Sequence, residues 1–138
     1  MTAAKRITEL LISNCPVSFI ASVDAEGFPN MKALLPPRKM IGIQTFYFIT
    51  TRSSLRVAQF RENPKSSIYF CDQRHYVGVM LKGTVEVLED PKSKKMLWLE
   101  TDTVYYKGGL SDPEYCVLRF TAIAGRLYRD FRATDFAI

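Results

Sequence analysis

The 138-residue chain contains a single histidine, His75, and that scarcity removes several mechanisms at once. A His-rich zinc site cannot be built, and Ser-His-Asp chemistry would have to run through this one imidazole with no G-x-S-x-G turn to present a serine. Neither a P-loop nor a G-x-G-x-x-G occurs, which disfavours the common NTPase and Rossmann dinucleotide sites. The three cysteines, Cys15, Cys71 and Cys116, are odd in number, far apart and form no CxxC. They read as reduced thiols in a cytoplasmic protein rather than as a disulfide framework or a metal knuckle. No apolar run approaches the roughly 18 residues of a membrane span. The stretch Met1 to Glu9 has no signal-peptide core, and no Asn-x-Ser/Thr sequon points outside the cell. Neither a membrane partner nor a metal is expected. Any chemistry belongs to a bound cofactor.

What is present suits one ordinary domain spanning residues 1–138: 47% hydrophobic and 24% charged residues, with a net charge of +5. A basic balance fits nucleic acid, an anionic membrane or an anionic small ligand, and charge alone does not choose among them. No block of five basic residues exists. The densest clusters, Lys92, Lys94, Lys95 and Arg126, Arg129, Arg132, read as solvated faces.

Apolar spacing predicts a short helix over Lys5 to Ser13, ended by Asn14-Cys15-Pro16. From Val17 the period becomes two, and Asp24-Ala25-Glu26-Gly27 turns a first strand into a second, Pro29 to Leu35. Pro36-Pro37-Arg38-Lys39 interrupts pairing. Thr45 to Thr50 follows as a strand with Phe46 and Phe48 on one side and Tyr47 and Ile49 on the other. Ser53 to Glu62 is a serine-capped helix stopped by Asn63-Pro64. Further strands are expected over Ser67 to Cys71, over Tyr76 to Leu88, where Gly83 marks a bulge or bend, and over Glu114 to Arg129 with Cys116, Leu118 and Phe120 facing the core. Asp90-Pro91 starts another helix, with Met96, Leu97 and Leu99 as its apolar stripe, and Tyr105 to Asp112 reads as loop. Six or so strands with short helices make a mainly β fold, an antiparallel barrel.

The segment Thr50-Thr51-Arg52-Ser53-Ser54-Leu55-Arg56 gathers hydroxyls, a helix N-terminus and two guanidinium groups within seven residues. Exposed N–H groups at a helix start accept a phosphate readily, and arginine adds bidentate hydrogen bonds to its oxygens. An ordinary capped helix with solvated arginines would have the same sequence.

The ordered set Gly27-x-Pro29-x-x-Lys32-Ala33-Leu34, Phe46-Tyr47-Phe48-Ile49-Thr50, Ser54-x-Arg56-Val57, Asn63-Pro64, Ser67-Ile68-Tyr69-Phe70 and Gly83-Thr84-Val85-Glu86-Val87 resembles the FMN-binding split barrels of the pyridoxamine 5'-phosphate oxidase-like superfamily. Its short, general-stress-protein-like members are the nearest in pattern. The likeness runs from about Val17 to Asp90, with a weaker echo over Asp112 to Phe120. It implies a six-stranded antiparallel split β-barrel, a homodimer with the flavin between two barrels, and FMN as cofactor, although related barrels carry a deazaflavin. It also implies roles. Lys32 falls where a basic residue meets the FMN phosphate, Ala33 and Leu34 where backbone groups face the ring edge, Thr50 and Thr51 beside the flavin and ribityl chain, and Ser54 at the phosphate-binding hydroxyl. Arg56 stands where lysine is usual, which keeps the charge and adds a planar fork.

Two departures limit the enzymology. True pyridoxamine-phosphate oxidases end in a segment rich in Arg, Trp and His, whereas Arg129 to Ile138 has neither Trp nor His; pyridoxamine phosphate is not the expected substrate. Gly78 stands where those oxidases carry a glutamine against the flavin. The implied activity is that of an FMN-dependent oxidoreductase acting on a small molecule, with hydride accepted at the flavin N5. A non-catalytic flavin carrier is the alternative, and a basic barrel binding single-stranded nucleic acid has less support, since no strand alternates basic and aromatic residues. No catalytic residue can be named: His75 and Tyr76 are the nearest by chain position and read as turn and packing. Trp98, Tyr105 and Tyr106 could cover a ring from the partner chain, or simply pack.

Overall fold

In the computed structural model, which describes residues 2–138, the chain begins with α1 (Ala3–Asn14), capped by the Thr2 hydroxyl accepting from the Lys5 N–H at 3.2 Å. Strands β1 (Ser18–Val23) and β2 (Pro29–Leu34) form the expected hairpin. They are followed by β3 (Lys39–Ile41), β4 (Thr45–Thr51), α2 (Leu55–Glu62), β5 (Lys65–Asp72) and β6 (Val77–Leu88). After α3 (Pro91–Leu97), two short 3-10 turns over Glu100–Val104 and Gly109–Ser111 lead into β7 (Tyr115–Arg129) and β8 (Arg132–Ala137). No helix is long and apolar enough to cross a membrane among the described residues.

All pairings are antiparallel, in the order β2-β1-β5-β6-β7-β4-β3, with β8 alongside the far half of β7. The protein is therefore mainly β, a split barrel. It has eight strands rather than six. Both additions are short or weakly patterned: β3 has three exposed residues beyond the proline pair, and β8 buries only Phe136. Strand β7 is long enough to serve two neighbours, pairing β4 over Tyr115–Thr121 and β8 over Ala124–Arg129.

Alternation on β4 and β7 sorts two cores. Phe46, Phe48, Cys116, Leu118 and Phe120 enter the main core with Ile20, Ile68, Phe70, Val79, Leu81 and Val85. Tyr47, Tyr115 and Val117 face the other way, into a tyrosine-rich cluster with Leu97 and Tyr106 beneath α3 and the 3-10 turns. The Tyr115 phenol donates to the Lys94 carbonyl at 2.7 Å, and burial pushes its pKa up to about 12. The three cysteines are unpaired, and burial pushes the Cys116 thiol up to about 11.

The bulge expected at Gly83 exists, but its extra residue lies on the neighbouring strand. Lys82 pairs with Ala124 and Gly83 with Ala122, leaving exposed Ile123 unpaired on β7. Gly83 has a different task. A Cβ there would lie 1.9 Å from the Thr121 carbonyl oxygen, so only glycine lets the two backbones approach. The Gly83→Ala variant is expected to lose about 2 kcal/mol, seen as a lower urea midpoint at an unchanged slope, because the obstacle is backbone and cannot rotate away.

Candidate functional site

Strand β2 lies at one end of the strand order and β4 is next to the other end, so the seam of the barrel falls between them. A cleft of about 400 Å³ opens there. Lys32, Ala33 and Leu34 line it from β2, Thr50 and Thr51 from the end of β4, and Arg56 from the first turn of α2. Six of the seven residues singled out in the sequence thus meet in one place. The seventh, Ser54, does not line the cleft; its hydroxyl caps α2, accepting from the Val57 N–H at 3.4 Å. Its bond is the ordinary one of an N-cap, which is what a capped helix alone would require.

Arg56 is the unusual member. Its Nη2 donates to Thr50 Oγ1 at 3.0 Å, while its buried Nε has no hydrogen-bond partner. Burial lowers its pKa, and no carboxylate pairs with it among the described residues. The arginines nearby behave otherwise: Arg52 and Arg61 share Glu89 at 2.7 Å each. A half-buried guanidinium with an idle N–H is costly unless something negative completes it. Lys32 is exposed on the same cleft and also makes no ion pair among the described residues. Two uncompensated cations and two threonine hydroxyls, beside the terminal strand β2 whose outer edge has no strand partner, make a donor-rich site for an anion. The donor set therefore fits a phosphate-bearing cofactor.

Sequence reasoning assigned Arg38 no role and left Trp98, Tyr105 and Tyr106 between covering a ring from the partner chain and packing. Arg38 lines the cleft but is spent internally: its guanidinium grips buried Asp102 through two bonds of 2.7 and 2.9 Å and donates to the Leu97 carbonyl at 3.0 Å. Tyr106 lines the cleft from its own chain, buried, with its phenol 3.1 Å from Thr51 Oγ1. Trp98 packs against Tyr115 with ring centroids 5.0 Å apart, and Tyr105 is exposed at the cleft mouth. These partners lie 55 and 64 residues apart in the chain, and no local spacing announces such contacts.

Gly78, where a glutamine would be usual, is explained by its neighbour on β5. A Cβ at Gly78 would lie 2.0 Å from the Tyr69 hydroxyl, so the tyrosine fills the space that a longer side chain would need. His75 is remote from the cleft. It stands exposed in the β5–β6 turn, Nδ1 bonded to Asp72 at 2.7 Å, on a larger groove of about 1140 Å³ lined by α1, Val17, Phe19, Cys71 and Arg129.

The fold and site together define an antiparallel split barrel with a donor-rich cleft at its seam. The chain belongs to the pyridoxamine 5'-phosphate oxidase family, whose model matches residues 4–129. It is 34% identical to a protein from Clostridium acetobutylicum related to general stress protein 26 of Bacillus subtilis and assigned to the pyridoxinephosphate oxidase family. That match covers 97% of this chain and 94% of the other, with a TM-score of 0.87. General stress protein 26 from Bacillus anthracis shares the fold at 15% identity, with 99% and 100% covered and a TM-score of 0.75. A heme binding protein from Mycobacterium smegmatis shares it at 15% identity and a TM-score of 0.78, over 99% of this chain and 59% of that one. No match was found among curated proteins.

Proposed function

We propose that the protein binds FMN in the seam cleft and acts as an FMN-dependent oxidoreductase on a small molecule. The observation that carries this reading is Arg56, a half-buried cation with an idle Nε and no carboxylate partner. Arg56 and Lys32 would hold the phosphate, the outer edge of β2 would hydrogen-bond the ring edge, and Leu34, Phe48 and Ile49 would supply apolar wall. Bound flavin supplies hydride and electron transfer, leaving the chain to anchor, orient and shield. Tyr106 would not act as a base, since burial raises its phenol further from neutrality.

The reading includes a homodimer. Phe19, Met31 and Leu35 are exposed on the β1–β2 hairpin and its exit, Leu35 lining the cleft and Phe19 the larger groove, and a second copy packed there would cover them. Light scattering measures this: a monomeric mass would remove it.

The absorbance spectrum of the purified protein is the direct test. Flavin bands, with FMN recovered from the denatured protein, are expected; a shifted spectrum would redirect the reading to a deazaflavin. Flavoprotein that NADH, NADPH and candidate donors all fail to reduce would be a carrier rather than an oxidoreductase. Haem is a second reading, favoured by one observation. His75, held through Nδ1 by Asp72, leaves Nε2 free on the larger groove, the arrangement typical of a metal-ligating imidazole. A Soret band lost in His75→Ala would install it in place of the flavin.

A further inference from the structure

The polarity of the two threonine hydroxyls in the cleft follows from their neighbours. Arginine can only donate, so Thr50 Oγ1 accepts from Arg56 Nη2 and its own proton points elsewhere. The Thr51–Tyr106 bond is formally ambiguous, because either oxygen can donate. Burial resolves it. Tyr106 is 5% exposed, and among the described residues Thr51 is the one hydrogen-bond partner of its phenol. If Thr51 donated, the Tyr106 proton would be left without an acceptor; if Tyr106 donates, the Thr51 proton is left for the cleft that Thr51 lines, and neither member of the pair is stranded.

Resting on the FMN reading above, we propose that Tyr106 is a positioning residue: its phenol donates to Thr51 Oγ1 and thereby turns the Thr51 hydroxyl into a fixed donor toward the acceptor oxygens of a phosphate-bearing ligand, while the Arg38–Asp102 pair holds the tyrosine in place. The clasp is closed at both ends. The Asp102 carbonyl accepts from the Tyr105 and Tyr106 N–H groups at 2.9 Å each, and its carboxylate takes both Arg38 nitrogens and the Leu99 N–H. Arg38 in turn donates its own N–H to the Tyr47 carbonyl at 2.8 Å. Tyr106 is thus tied to β4 at Tyr47 through Arg38 and at Thr51 through its hydroxyl. Thr51, Arg56 and Lys32 then present hydrogens to the cleft, a set that favours an anion and repels a cation or a donor-rich ligand.

A double-mutant cycle on the full chain tests this, with FMN affinity read by fluorescence titration and folding checked by thermal melts. Tyr106→Phe keeps the ring within the Tyr47–Leu97–Tyr115 cluster and removes only the donor. Tyr106→Phe and Thr51→Val should each weaken FMN about tenfold, and the double variant should be no weaker than Thr51→Val alone. Thr51→Ser, which keeps the hydroxyl, should bind like the parent. Multiplying losses, or an unchanged affinity in Tyr106→Phe, would show the tyrosine to be packing alone and overturn the proposal. Inorganic phosphate, read by its stabilisation of the protein against heat, separates the proposal from the flavin reading. If the parent ignores FMN yet phosphate stabilises it with the same non-multiplying pattern, the flavin reading fails and the positioning role stands. A parent that responds to neither ligand overturns both.

Discussion

Asp102→Ala is expected to destabilise the protein by about 3 kcal/mol, the low end of what breaking a buried ion pair costs, or a fall of about 10 °C in Tm for a chain of this size. The aspartate side chain is 2% exposed and that of its partner Arg38 is 21% exposed, so the guanidinium left behind is only partly rescued by water. The loss extends beyond one pair. The carboxylate also accepts the Leu99 N–H, and it organises the turn that delivers Tyr105 and Tyr106, so those backbone groups lose their arrangement too. The dependence on pH identifies the cause. Arg38, by hydrogen bonding first and by its charge, and the Leu99 N–H hold the Asp102 carboxyl below its usual range against the opposing effect of burial. A carboxyl whose folded pKa is depressed adds stability above its unfolded pKa, near 3.9, and that stability is lost as pH falls through the folded value. The gap between parent and Asp102→Asn should therefore be full at neutral pH and close in acid below about pH 4. Chemical denaturation across that range measures it, and a gap that persists unchanged into strong acid would mean that packing, not charge, is what the aspartate supplies.

That clasp also shows where the sequence stops being informative. The residues of β2, β4 and α2 were legible because the features that place them are local: alternation sets the faces of Phe46 to Thr50, Ser54 caps the helix that follows, and Arg56 lies one turn beyond. The resemblance in motif order then brought two distant pieces, Lys32 and Arg56, to one cleft. Arg38, Asp102 and Tyr106 carry no such signal. Their arrangement depends on how the segment after α3 folds over β4, a tertiary choice that neither period nor capping encodes. Strand β8 was missed for a different reason. Its hairpin turns on Asp130 and Phe131, both at positive φ of 53° and 60°. That is the conformation of a type I′ turn, usually announced by Asn-Gly or Asp-Gly rather than Asp-Phe. With one buried residue in six, the strand also lacks the alternation that revealed the others. Gly83 was assigned the right irregularity on the wrong strand, because a sequence shows that a glycine interrupts a pattern but not which backbone needs the room.

Arg56→Ala is expected to weaken FMN binding between about tenfold and a hundredfold, the value of a charge-assisted hydrogen bond to a phosphate of about 1.5–3 kcal/mol. The same change should leave the cofactor-free protein as stable as the parent, or slightly more stable. This pairing of outcomes follows from the arginine's surroundings. In a residue kept for structure, the guanidinium would have its partners within the fold, as Arg38 has in Asp102 and Arg52 and Arg61 have in Glu89. Arg56 instead gives one bond to a neutral hydroxyl, carries an idle buried Nε, and has its pKa lowered by burial, all signs that folding pays to place this charge and does not recover the cost. A guanidinium remains protonated at neutral pH even so, and the recovery must come from a ligand that is negative. Arg56→Lys should fall between parent and alanine, since it keeps the charge and loses the planar fork. Riboflavin, which lacks the phosphate, should bind the parent and Arg56→Ala equally well. Titrations of both flavins, alongside melts of the cofactor-free variants, separate the possibilities: equal losses for FMN and riboflavin would place Arg56 against the ring, and a large loss of stability without ligand would make it a structural residue.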